Sequence, residues 1–500
     1  MEIGLGEIGL IGSVGWIMEG ATATAVPTID DEFIDRFCSG RATEQDARRL
    51  ASGDAETCTF TLLAIQQRLA GKQADGPNTP SGAKPPYEKP APKPRGKQGK
   101  KRGAQEGHPG SRRKPPIEAD QTRDWVPESC PDCGEKLQDT GEVRERLTED
   151  IPEDLKPVVT RDRLHRGVCP RCRTRFEGKA PDVLPRCQLG NRTLVLSAML
   201  HFLQGLTLSQ ITETFNFHLR LMLSAGGLVQ MWHRLAEILF ARYQQIQEQS
   251  LDAAKLHADE TGWRVQGKTH WLWCFASDDA IYYLIDRSRG SPALLKFFTR
   301  EFEGTLVSDF WSPYDSVLCT DQQKCWPHLL RDVASVDEKH RGESDWDSFR
   351  RRLMRAYKDA KKLHAQKPLI QEEPYDTAVV RLEGRLASMG AESWDHSDAK
   401  RLAKRLAKYG NELLTFLWYD DVPSSNNAGE RAIRPAVMIR KNSYANGSDR
   451  GALTQSVLMS VFRTLRLRGL DPISEILQAL ATHTQTGITP PLPNVSAPEG

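Results

Sequence analysis

The chain has 500 residues, of which 39% are hydrophobic and 27% charged. That is too long for one ordinary domain and carries enough apolar mass for a sizeable core. A mean hydropathy of −0.53 and the lack of any run of roughly 18 consecutive apolar residues argue against a membrane-spanning protein. Lys plus Arg number 68 against 66 Asp plus Glu, a net charge of +2, so a uniformly basic chain is excluded while local asymmetry is not.

Residues 1–17 are Gly-rich and apolar, and no Lys or Arg precedes Arg36. A secretory signal needs a basic start, so none is read and a cytoplasmic location is expected. Met18 offers an alternative start; an ordinary flexible tail is the other reading. Phe33, Ile34 and Phe37, then Leu62, Leu63, Ile65 and Leu69, follow helical spacing. Residues 1–71 are therefore read as a tail and a small helical module, with oligomerisation as its default role.

Residues 72–118 hold 12 Lys/Arg, 4 Asp/Glu and 10 Pro, with almost no apolar side chains. Such a stretch cannot offset its ordering entropy, and the composition predicts disorder. Lys97, Lys100, Lys101 and Arg102 are bunched within it. Bunched cations on a tether suit a phosphate-binding arm; a solvated linker is the alternative.

Residues 119–188 contain Cys130-Pro-Asp-Cys133 and Cys169-Pro-Arg-Cys172. Each C-x2-C turn offers two sulfurs from one tight loop, and two such turns make the four-sulfur site that zinc favours. The 35 intervening residues exceed the usual roughly 15–20, but they include strand-like DLKPVVTRDRLHRGV, which can form a hairpin. One structural Zn2+ in a ribbon is the expectation. Arg161, Arg163, Arg166, Arg171, Arg173 and Arg175 crowd it, consistent with nucleic-acid contact; a purely protein-binding ribbon is the other reading. Residues 189–250 read as helices, with a helix-turn-helix as one reading.

In residues 251–330 the pattern turns to strands. Leu256 to Asp259 is a strand ending in acid. A turn at Gly267-Lys268 separates Trp263–Val265 from His270–Ser277, and Ile281–Ile285 is a third strand. SPALLKFFTREFEG is helical, and Thr305–Asp309 is a new strand ending in a second acid. Strand, strand, strand, helix, strand is the order of a ribonuclease H-like fold, in which strands one and four are neighbours. Asp259 and Asp309 would then lie side by side, and paired carboxylates of this kind are resolved by Mg2+ or Mn2+. Two such ions serve phosphoryl transfer. Glu430, in SSNNAGERAIRP, is the third-acid candidate, in the first turn of a helix that Asn426 and Asn427 can cap. Glu260 should point to the opposite face from Asp259. Glu260, Asp286 and Asp315 are expected to matter only modestly.

At these residues the chain resembles the insertion-sequence 66 family of bacterial transposases, over most of residues 90–480. The resemblance is carried by RGKQGKKRGAQEGHPG, the cysteine pairs, HADETGWRV, LVSDFWSPYDS, CWPHLLRD and NNAGERAIRP. It implies a DDE transposase with Asp259, Asp309 and Glu430 as catalytic, metal-binding triad. It also implies hydrolysis at the element's ends, then attack of the freed 3′-hydroxyl on target DNA. The 120 residues between Asp309 and Glu430 would hold a helical insertion over 331–420. Residues 421–482 would complete the core, and 483–500 would be a loose tail. Gly429 stands where the family usually has Ala. Cys325 and His328 form a C-x2-H pair, read as structural or as a buried thiol and a hydrogen-bonded imidazole.

From Arg431 to Arg468 there are 8 Lys/Arg against one acid. Arg431, Arg434, Arg440 and Lys441 are DNA-contact candidates; a solvated cationic face is the alternative. Partners implied are terminal repeats and target DNA, a second protomer and accessory proteins of the element, with a nucleoid-associated location. The rival functions are an inactive DNA-binding regulator and a nuclease of the same fold.

Overall fold

The computed structural model describes residues 43–51, most of 118–152 and all of 155–494. The chain divides into two units, Met1–Thr79 and Pro80–Gly500. In the first, α1 (Glu44–Ala51) is opened by a reciprocal cap. Asp46 N donates to Thr43 Oγ1, and Thr43 N donates to Asp46 Oδ2 at 2.9 Å. The rest of the expected helical module and the basic arm, including Lys97, Lys100, Lys101 and Arg102, lie outside the described residues.

In the second unit, β1 (Arg166–Val168) and β2 (Arg175–Glu177) form an exposed antiparallel hairpin. Helices α2 (Asn191–Phe202), α3 (Leu208–Glu213) and α4 (Ala225–Leu251) follow. Thr207 and Gln210 make a capping box for α3, and Ser224 caps α4. These helices share one buried cluster with the sheet that comes next. Trp232 of α4 packs between His201 and Phe202 and donates to Ser197 at 3.1 Å.

The central sheet has the order β5–β4–β3–β6–β7. Its strands are β3 (Lys255–Val265), β4 (Lys268–Ala276), β5 (Ile281–Asp286), β6 (Phe302–Ser308) and β7 (Cys319–Lys324), with α5 (Ser291–Phe297) between β5 and β6. The first three strands are an antiparallel meander, whereas β3–β6 and β6–β7 are parallel. Gly304 permits the close approach of β6, since a Cβ there would lie 2.5 Å from the Ala253 carbonyl oxygen. Asp259 does not end its strand, as its sequence suggests; β3 continues to Val265 because Trp263 and Val265 stay buried.

Beyond β7 come α6 (Trp326–His340), α7 (Ser344–Gln366), α8 (Glu372–Ala391), α9 (Ser397–Tyr409) and α10 (Thr415–Trp418). They enclose a second buried cluster around Trp346, Phe349, Leu386 and Leu402. This excursion leaves and returns at one place: Trp326 N donates to Ser424 O at 3.1 Å, and Lys324 N to Glu412 O at 2.8 Å. The chain then re-enters the sheet layer as α11 (Asn427–Ser443), α12 (Asp449–Leu467) and α13 (Pro472–Thr486). Ser456, Ser460 and Thr464 of α12 accept from the backbone of β5, satisfying its outer edge.

The C-terminal segment corrects the expectation of a loose tail from 483. Residues 483–486 end α13, and Leu492 is buried. Arg242 Nε donates to Pro490 O, Arg468 Nη1 to Pro493 O and Leu492 N to Gln245 Oε1. Prolines lack N–H groups but keep their carbonyls, and two buried arginines use them. No helix among the described residues is long and apolar enough to cross a membrane.

Candidate active site

The last paired residues of β3 and β6 are His257 and Val307. Asp259 and Asp309 each lie two residues further on, Asp259 within β3 and Asp309 just past the end of β6. Asp259 shares its side of the sheet with α11: His257 Nδ1 meets Asn426 Oδ1 at 2.9 Å, and Arg440 Nη1 donates to Thr261 Oγ1 at 2.9 Å. Asp309 follows the end of β6, where Trp311 N donates to its Oδ1 at 2.8 Å.

Glu430 sits in the first turn of α11. The capping expectation is corrected here. Asn426 occupies the N-cap position, but its side chain makes no capping bond. It reaches back to β3 instead, donating from Nδ2 to the Ala258 carbonyl at 2.7 Å. Gly429 makes room for this side chain, because a Cβ at 429 would lie 2.7 Å from Asn426 Oδ1. The small residue before Glu430 thus has a steric reason.

Electrostatics tie the three acids together. Burial pushes the Asp259 carboxyl well above the usual carboxylate range, and the charges of Glu260, Asp309 and Glu430 push it further. Among the described residues, however, one set of three His, Cys, Asp or Glu side chains brings all its ligand atoms within 4.8 Å: His340, Glu343 and His396. Asp259, Asp309 and Glu430 are gathered more loosely. Glu430 Oε1 accepts from Arg331 Nη2 of α6 at 2.8 Å, with His328 Nε2 3.8 Å away.

The His340, Glu343 and His396 group reads as a cap rather than a cation site. His396 Nδ1 accepts from the Asp398 and Ala399 backbone amides at the start of α9. That places the ring proton on Nε2, facing Glu343 Oε2 at 3.4 Å, and leaves no Nε2 lone pair for a metal.

Cys325 is fully buried. Its Sγ accepts from Asn426 N at 3.1 Å, and its own N donates to Ser308 O at 3.0 Å. Burial pushes its thiol up to about 11. His328 follows one turn later, its N donating to Cys325 O. Burial holds His328 below its usual range, with Arg331 adding to the effect. The pair belongs to the junction under Asp309 and Glu430.

Sequence reading missed a second constellation. Glu260 does face the other side of β3, yet it is buried, accepting from Tyr314 Oη at 2.6 Å and Arg289 Nη2 at 3.1 Å. Arg289 is sandwiched between Trp271 and Trp311, 4.4 and 3.8 Å from the ring centroids. Trp311 Nε1 also donates to Arg289 O, while Trp311 N holds Asp309. Nothing in the local sequence around Glu260 signals partners 29 and 54 residues away. Asp286 pairs with Lys296. Asp315 accepts from Lys408 Nζ, Tyr409 Oη and the buried Lys324 Nζ. Both are structural ties.

Among the DNA-contact candidates on α11, Arg431, Arg434 and Lys441 are exposed. Arg440 is half-buried and committed to Thr261 and Gly262, which ties α11 to β3. In the cysteine region, Cys130 lies outside the described residues. Cys133 sits in a turn just before the Lys136 that bridges back to Ser129. Cys169 and Cys172 occupy the β1–β2 loop, where Arg173 N donates to Cys169 O. Hydrogen bonds from Thr174 first, then from Cys169, pull the Cys172 thiol down to about 7. Cys133 does not converge with Cys169 and Cys172 into a three-sulfur group among the described residues.

The chain is thus a mixed α/β protein with a five-stranded mixed sheet and many helices. Residues 186–454 match the family described as Transposase IS66 family, and the chain belongs to it. Two curated relatives from Sinorhizobium fredii (strain NBRC 101917 / NGR234) are similar along most of their length. "Uncharacterized protein y4qI" is 25% identical over 398 residues, covering 72% of this chain and 71% of that protein. "Uncharacterized protein y4hP" is 24% identical over 409 residues, covering 73% of each.

Proposed function

We propose that this IS66 family transposase cuts DNA at the ends of its element and joins the freed 3′-hydroxyl to target DNA, by a DDE mechanism on a ribonuclease H-like core. What supports this reading is the parallel pairing of His257 with Val307, each two residues before an acid, together with the charges of Asp309 and Glu430 felt at Asp259. The strand order supports the same core. Helices 331–420 would be an insertion into it.

The residues fit a divalent cation. Asp259 is desolvated and feels the charges of Asp309 and Glu430, a repulsion that hard cations with oxygen ligands would relieve. Asp259, Asp309 and Glu430 would hold two Mg2+ or Mn2+ ions, which activate the attacking hydroxyl and stabilise the leaving oxygen when bound. The chain does the positioning. Trp311 N fixes one oxygen of Asp309, and Asn426 holds the start of α11 against Ala258. Exposed Arg431, Arg434 and Lys441 would hold phosphates beside the acids. Cys130, Cys133, Cys169 and Cys172 would bind one structural zinc; two matched turn loops support this. The basic arm would add sequence-independent affinity, and two protomers would pair the element's ends.

Incubating the purified chain with element ends, a target plasmid and Mg2+ tests the proposal. Joined products are expected. Binding alone would indicate a regulator, and cutting without joining a nuclease.

A further inference from the structure

The pairing of Glu430 with Arg331 has a consequence for the order in which cation and DNA engage. Arg331 Nη2 reaches Glu430 Oε1 at 2.8 Å, across from α6 to α11. Its side chain is 60% exposed and that of Glu430 is 40% exposed, so neither is locked by packing. Glu430 is thus paired with a guanidinium on the neighbouring helix. Asp259 accepts from a backbone amide of its own strand, and Asp309 from Trp311 N. A guanidinium therefore holds Glu430 by charge.

We propose that Arg331 is an exchangeable counter-charge. It neutralises Glu430 while the acids carry no cation. When a divalent cation takes Glu430, Arg331 is released to hold a DNA phosphodiester beside the acids. The inference rests on the three-acid reading and adds to it a binding residue and an order of events. A guanidinium suits both partners, because its planar donors fit carboxylate and phosphate alike. The exchange is cheap. A half-exposed ion pair is weak, about a fivefold effect or less, so a cation can displace it without local unfolding. An exposed arginine freed next to Arg431 and Arg434 joins the surface already placed for phosphates.

The test uses the full-length protein with Mn2+ alone, then with a short DNA duplex of arbitrary sequence. Unbound Mn2+ is read by electron paramagnetic resonance. Wild type, Arg331→Ala, Arg331→Lys and Asp259→Asn are compared, with thermal melting to confirm folding. Arg331→Ala should bind Mn2+ about two- to fivefold more tightly than wild type, because the competing pair is gone. It should bind DNA more weakly when Ca2+ is present, yet equally when all divalent ions are chelated. Arg331→Lys should restore most of the wild-type Mn2+ affinity. A merely structural Arg331 would not tighten cation binding on removal. If Asp259→Asn loses Mn2+ binding but Arg331→Ala leaves it unchanged or weaker, the exchange is refuted while the three-acid reading stands. If Asp259→Asn leaves Mn2+ binding intact, the three-acid reading itself fails and the exchange with it.

Discussion

Asn426 Nδ2 donates to the Ala258 carbonyl at 2.7 Å, so the residue that opens the Glu430 helix is fastened to the residue preceding Asp259. The same side chain meets His257 Nδ1, and its backbone N donates to Cys325 Sγ. One asparagine thereby links the strand, the helix and the junction after β7.

Asn426→Ala should cost about 1–3 kcal/mol in urea unfolding, since it strands a buried carbonyl and an imidazole nitrogen. Gly429→Ala should be milder but in the same direction, as its Cβ forces Asn426 aside. Both should slow strand joining by moving Glu430. Unchanged rates with lowered stability would separate the bolt from the chemistry.

For the acids, Asp259→Asn, Asp309→Asn and Glu430→Gln should each abolish cleavage and joining while DNA binding persists. Each removes a negative charge from a crowded group, so the melting temperature in chelator should stay level or rise. Retained strand transfer in Glu430→Gln would send the search for the third acid elsewhere.

Glu260 and Arg289 should behave differently. Arg289→Ala leaves a buried carboxylate uncompensated and should cost about 3–5 kcal/mol. Arg289→Lys should recover little, because a compact ammonium does not fill the gap between Trp271 and Trp311. The reading is checked by chemical denaturation of both variants beside wild type; full rescue by lysine would contradict it.

Metal analysis of protein purified without chelator should give one zinc per chain. Cys169→Ser or Cys172→Ser should release it and expose residues 125–187 to protease. Since four sulfurs leave no open position, the loss should touch DNA binding or stability before chemistry.

A pH series probes the core under α4. Burial holds His201 below its usual range, and burial followed by Arg450 does the same to His233. Both resist protonation when folded, whereas the unfolded chain takes up protons near pH 6.5. Their stabilising contribution is therefore complete above about pH 6.5 and is lost as pH falls. The stability gap between wild type and a His201→Asn, His233→Asn variant should narrow from pH 7.5 to 5.5. A constant gap would show that neither ring titrates in this way.

How much of this was legible depends on which forces left a local trace. The meander, β6 and its acid were readable because apolar runs broke at Gly267 and after Ser308. Strand β7 was not, because CTDQQK looks like a loop. Gln323 and Lys324 are fully buried there, satisfied by Lys324 O, Leu413 O, Asp315 and Gln322. The Glu260, Arg289 and Tyr314 group and the strapped C-terminal segment were hidden for the same reason. Their partners come from distant parts of the chain, and no periodicity records them.

The neck at Trp326 and Ser424 means that the length of the excursion can change at the helices far from the sheet with little consequence at the neck. Because both ends of that stretch meet, material added or removed inside it need not shift the acids on either side. The entropic penalty of a longer closed loop grows only logarithmically. Spacing between the second and third acids is then a poor ruler for comparing relatives of this protein; the residues at the neck are the better landmark.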